Sequence, residues 1–114
     1  MHEMSLTEGI LRVLEEQAVA QGYRQVKTVW VEIGNLSTVD ADALSFCFEA
    51  IRGNSPVTVE ARMEVIRVPG QAWCMTCDKA VEIAQRYDPC PLCGGEMLQV
   101  MGGEEMRIKE LEVE

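Results

Sequence analysis

Aromatic residues are scarce in this 114-residue sequence: Trp30, Trp73, Tyr23, Tyr87, Phe46 and Phe48 are the whole set, 5% of the chain. A core built from aliphatic side chains and methionine is thin at this length, so a staple of some kind becomes useful. Positive charge is also scarce. Ten Lys and Arg stand against nineteen Asp and Glu, a net charge of -9, whereas a phosphate-binding surface needs clustered cations, so no nucleic-acid partner is expected. No apolar run approaches the roughly 18 residues of a membrane span, and the first residues lack the basic start and apolar stretch of a signal peptide, so the expectation is a cytoplasmic chain with no membrane partner. There is a single histidine, no Ser/His/Asp set and no glycine-rich phosphate loop. An enzyme therefore has almost no support.

What is present is an ordinary globular balance, 47% apolar and 25% charged, enough for one domain or for one small domain with a metal-stapled module. Leu6, Ile10, Val13, Leu14 and Val19 recur at three- and four-residue steps and predict an amphipathic helix over about residues 5–21. Ser5 and Glu8 fit a capping box, Gly22 a left-handed C-cap, and Met1 to Met4 a short free arm before the helix. Val29, Val31 and Ile33 alternate with polar neighbours and predict a strand over 26–33. A second helix is expected from about Asp40 to Arg52, capped by Thr38 or Asp40, with Ala43, Leu44, Cys47, Phe48 and Ile51 on one face. Residues 57–65 alternate again and read as a long half-buried strand, with a phase slip at Ile66 and Val68 that implies a bulge or bend. The tail from Met106 to Val113, with a slip at Glu110, reads as a closing strand that returns to the first domain.

Four of the five cysteines form two C-x-x-C pairs, Cys74/Cys77 and Cys90/Cys93, separated by twelve residues. This is two-pair zinc spacing: each turn points two thiolates one way, and two facing turns supply four sulfurs in a tetrahedron. A closed four-sulfur shell leaves no position for water, so a structural zinc is expected rather than a catalytic one; spacing alone leaves iron open. Gly94 permits the positive φ that turns backbone N–H groups toward sulfur. Cys47, on the apolar helix face, reads as a small buried hydrophobe.

His2 stands one residue from the terminus. The Met1 amine, the His2 amide nitrogen and the His2 imidazole can close adjacent five- and six-membered chelate rings on one ion. Three nitrogens in a plane, with the amide deprotonated, favour nickel(II) or copper(II) over zinc or magnesium. Glu3 adds a nearby carboxylate.

Met1-His2-Glu3, the helix after it, Glu32-Ile33-Gly34, Phe46-Cys47-Phe48-Glu49 and the cysteine quartet with Cys-Pro-Leu-Cys-Gly-Gly together resemble the HypA/HybF-type nickel-incorporation proteins of nickel–iron hydrogenase maturation. The similarity spans essentially the whole chain in order. It implies an α+β fold: a small nickel-binding domain of two helices and a three-stranded sheet (1–68 plus 104–114), with an inserted four-cysteine zinc-ribbon-like domain (69–103). It further implies a non-enzymatic metallochaperone that carries Ni(II), with a partner GTPase, to the hydrogenase large subunit, urease maturation proteins being further candidate partners. By position, Met1 (through its amine) and His2 are nickel ligands, Glu3 a carboxylate that could ligate or tune, Asp40 a weaker candidate for the same neighbourhood, and Cys74, Cys77, Cys90 and Cys93 ligands of structural Zn(II). Some relatives carry extra histidines beside the zinc cysteines, and this chain has none. The competing reading is a structural zinc-ribbon module for protein–protein interaction.

Overall fold

The computed structural model describes residues 2–114, as helices α1 (Glu3–Gln21) and α2 (Ala41–Ile51) and strands β1 (Val26–Gly34), β2 (Arg62–Val68), β3 (Gly70–Cys74), β4 (Lys79–Ile83), β5 (Leu98–Gly102) and β6 (Met106–Val113). The strands form two three-stranded sheets, ordered β2-β1-β6 and β4-β3-β5. This is the expected α+β class. The chain divides into two compact units, one taking the chain up to Val31, Val39–Ile66 and Arg107–Glu114, the other Glu32–Thr38 and Arg67–Met106. No helix among the described residues is long and apolar enough to cross a membrane.

In the first unit, α1 begins two residues earlier than its periodicity predicts. Its N-cap is His2, not Ser5, so the capping box does not form and Glu3 and Met4 are helical rather than part of a free arm. The buried stripe runs Glu3, Thr7, Ile10, Leu14, Ala18, leaving Val19 87% exposed. Two polar contacts extend the helix: Thr7 Oγ1 donates to the Glu3 and Met4 carbonyls, and the Glu3 carboxylate accepts from the Asp40 N–H at 3.0 Å. Gly22 closes the other end in the left-handed conformation, its N–H bonded to the Ala18 carbonyl. α2 follows its prediction, with Asp40 as the N-cap accepting from the Ala43 N–H and Leu44 and Phe48 fully buried. Val26, Val29 and Val31 of β1 are fully buried as well.

The long strand predicted over 57–65 is not there. Residues 55–60 are turns, and β2 starts only at Arg62. The Val/Thr alternation is overridden by local hydrogen bonding. The Ser55 Oγ accepts from the Val57 N–H, the Thr58 hydroxyl donates to the Arg52 carbonyl at 2.7 Å, and the Arg52 guanidinium donates to the Ala61 carbonyl at 2.7 Å. Thr58 is fully buried with its hydroxyl satisfied, which is how a polar residue can occupy a core position. The phase slip does occur, inside β2, where Val65 and Ile66 are both half-buried.

The second unit has a small apolar cluster of Leu36, Ala72, Cys74, Val81, Ile83 and Cys90. β3 pairs with β4 and β5 antiparallel, placing Ala72 opposite both Val81 and Val100. The three strands are five residues each and were not expected from the sequence, whose turn-rich stretch shows little periodicity. Backbones meet closely where Gly34, Gly70 and Gly103 pack: a Cβ on Gly34 would overlap the Gly103 carbonyl, and one on Gly103, at φ +84°, would lie 2.6 Å from the Gly70 Cα.

Candidate metal centres

Both C-x-x-C pairs lie in turns of the same construction. Cys74 ends β3 and Cys77 lies in the hairpin turn before β4; Asp78, at φ +57°, closes that turn with its N–H on the Cys74 carbonyl at 2.8 Å. In the second pair Gly94, at φ +73°, closes it with its N–H on the Cys90 carbonyl, again at 2.8 Å. Gly94 was legible as the left-handed residue. Asp78 fills the same position and was not, although aspartate is one of the few side chains that tolerates it. Each turn aims backbone donors at sulfur: Cys77 N–H on Cys74 Sγ at 3.3 Å, Leu92 N–H on Cys90 Sγ at 3.4 Å, and Gly95 N–H on Cys93 Sγ at 3.4 Å. These donors stabilise thiolates.

The four sulfurs lie within 4.8 Å of one another, with Cys74 and Cys93 at 3.7 Å and Cys77 and Cys90 at 4.0 Å. A tetrahedron of bonds of about 2.3 Å has edges of about 3.8 Å, so the donor set has the size of one four-coordinate ion. Four thiols at this spacing cannot all ionise unaided. Hydrogen bonding to the Cys93 sulfur, together with burial and the other sulfurs, pushes the Cys77 thiol up to about 12. At Cys90 burial acts upward, but the Cys93 and Leu92 N–H groups and neighbouring sulfurs outweigh it and bring the thiol down to about 7. A cation that takes up the charge of all four resolves that conflict.

At the other end of the chain, Met1 lies outside the described residues. His2 is exposed, and its side chain makes no capping hydrogen bond. Its carbonyl accepts the first helical bond, from Leu6 N–H at 2.9 Å, so helix formation uses the carbonyl and not the amide nitrogen or the ring. Glu3 is 6% exposed and its carboxyl is held below the ordinary range, chiefly by the Asp40 N–H. Glu3 and Asp40 are thus brought together, with the Asp40 carboxylate engaged by Ala43 N–H. Cys47 is half-buried on α2, short of the full burial expected of a core residue.

An α+β protein with a four-cysteine metal-binding cluster and a histidine capping its first helix defines a small metal-handling class. The family model described as "Hydrogenase/urease nickel incorporation, metallochaperone, hypA" matches residues 1–113, and the chain belongs to the HypA family of nickel metallochaperones and hydrogenase maturation factors. It is not an enzyme. The hydrogenase maturation factors HypA of Azotobacter chroococcum (mcd 1) and of Rhodopseudomonas palustris (strain BisA53) are 54% and 52% identical to it, each over the full length of both chains. The solution structure of the nickel metallochaperone HypA from Helicobacter pylori superposes with a TM-score of 0.71 at 26% identity, covering 99% of this chain and 97% of that one.

Proposed function

We propose that this chain binds Ni(II) at its N-terminus and delivers it in the cytoplasm, with a nickel-handling GTPase, to the large subunit of nickel–iron hydrogenase, with urease maturation proteins as further partners. The nickel donors are the Met1 amine and the His2 amide and imidazole nitrogens. Glu3, one carboxylate oxygen tied to the Asp40 N–H, stands beside them as an acidic residue that fixes where the donor set leaves the helix and lowers the cost of bringing in a cation. The observation that carries this reading is the division of labour at His2, whose carbonyl starts the helix while its ring makes no capping hydrogen bond. A site built at a helix end from few, exposed donors suits hand-over by ligand exchange, unlike a closed thiolate shell.

Cys74, Cys77, Cys90 and Cys93 are proposed to hold a structural Zn(II), which when bound would tie the two turns together and reinforce the small apolar cluster of this unit. The functional division follows: a nickel-binding domain of 1–68 plus 104–114 and a zinc-binding domain of 69–103. The test is the metal content of untagged protein before and after addition of Ni(II), with its visible spectrum. One firmly held zinc and one exchangeable nickel per chain, with the absorption band of square-planar Ni(II), are expected. Zinc without any nickel uptake would overturn the carrier reading and leave a zinc-ribbon interaction module.

A further inference from the structure

On the apolar face of the β4-β3-β5 sheet a groove of about 350 Å³ opens between Ile83 at the end of β4 and Leu98 and Val100 on β5. Its volume sits near the lower end of the roughly 300–1,000 Å³ usual for ligand sites, room for one or two side chains. The turn at 84–88 forms one wall. There the Asp88 carboxylate accepts the N–H groups of Ala84 and Gln85 at 3.2 and 3.0 Å, and Tyr87, at φ +70°, is 96% exposed. A bulky residue in the left-handed region is uncommon, and here it holds an aromatic ring out in solvent beside an apolar floor.

The rim is acidic. Among the described residues, Arg86 is the one cation lining the groove and is paired with Glu104, whereas the exposed Glu96 makes no ion pair. A second copy of this chain, at a net charge of -9, would be repelled by such a rim. A segment with an apolar side chain flanked by cations matches both floor and rim.

We propose that this groove docks an extended segment of a partner protein, an apolar side chain entering between Ile83, Leu98 and Val100, with a neighbouring lysine or arginine meeting Glu96. Tyr87 covers the inserted side chain, and excluding water from the contact strengthens the charge pair at its edge.

Amide chemical-shift titrations of the zinc-loaded full chain with three blocked pentapeptides test this: Lys-Leu-Lys-Leu-Lys, Glu-Leu-Glu-Leu-Glu and Lys-Ser-Lys-Ser-Lys. The first is expected to give saturable shifts at Ile83, Leu98 and Val100 that weaken with added salt, and the other two to give none there. Tyr87→Ser and Glu96→Lys change exposed side chains, so zinc content should hold while each weakens the binding of the first peptide roughly tenfold. Equal response to the serine peptide, shifts located away from the groove, no saturable shift, or unchanged affinity in both variants would each overturn the proposal.

Discussion

The Glu3 carboxylate accepts the backbone N–H of Asp40 across 3.0 Å, so the first residue of α1 is tied to the residue that caps α2. The contact buries a carboxylate that the sequence places in a free arm. It also sets the position of His2, one residue earlier, relative to the second helix.

That contact has a sign in pH. The Glu3 carboxyl is held below its ordinary value of 4.5, so the folded state prefers the ionised form. Its stabilising effect is complete above the unfolded value and is lost as pH falls through the lowered folded value. The Glu3 side-chain carboxyl carbon shift, followed from pH 6 downward, should titrate with a midpoint below 4.5. In Glu3→Gln the melting temperature should fall, and its further loss on acidification should be smaller than in wild type. A midpoint at or above 4.5 would contradict the assignment.

Gly103 faces the Gly70 Cα and the Pro69 carbonyl, where a Cβ would lie at 2.6 and 2.7 Å. Both are backbone atoms that cannot swing aside. With a positive φ added, Gly103→Ala should cost about 2–4 kcal/mol in denaturant unfolding. Gly53→Ala, where nothing lies within 4 Å of the added carbon, should change little, and equal effects at the two positions would refute the packing argument.

Arg52 joins the end of α2 to the turns that follow, donating to the Ala61 carbonyl and pairing with Glu49 at 3.5 Å. Arg52→Leu leaves the carbonyl of the fully buried Ala61 without that donor and should destabilise the protein by about 1–2 kcal/mol, allowing for the partial exposure of the guanidinium. Hydrogen exchange should quicken at the Thr58 and Ala61 amides first. If protection at Ala61 is unchanged, Arg52 does not hold the turns.

Much of the first unit was legible because its signals are long. α1, α2, β1 and β6 each carry enough residues for period to show, and Asp40 and Gly22 are the caps their chemistry predicts. The miss at 57–61 arose because serine and threonine that alternate with valine look like a strand, yet Ser55 and Thr58 commit their hydroxyls to turn backbone. The early start of α1 depends on a partner 37 residues away, which no local pattern reveals. In the second unit, Ala72 and Cys74, Val81 and Ile83, and Leu98 and Val100 do alternate, but over two positions per strand, too few to separate from chance. The cysteine pairs were legible throughout, because ligand spacing is itself the signal. Asp78 as the counterpart of Gly94 was not, since nothing marks an aspartate as left-handed in advance.

The quartet yields its own expectation. Cys90→Ala removes one sulfur from the set and should release zinc and collapse the amide dispersion of β3, β4 and β5, since bound zinc contributes on the order of 10 kcal/mol to such units. Nickel uptake at the N-terminus should persist while hydrogenase maturation in cells falls. Full zinc retention by atomic absorption, or full maturation without zinc, would show the quartet misassigned or dispensable.

In the proposed nickel site, His2 and the terminal amine hold the ion. Calorimetric titration of Ni(II) into untagged wild type, His2→Gln and a form extended by a few residues before Met1 tests it most directly. Wild type should bind one nickel, and both altered forms should lose tight binding while keeping their zinc and their melting temperature, because an exposed side chain contributes little packing. Nickel affinity equal to wild type in His2→Gln would contradict the account outright.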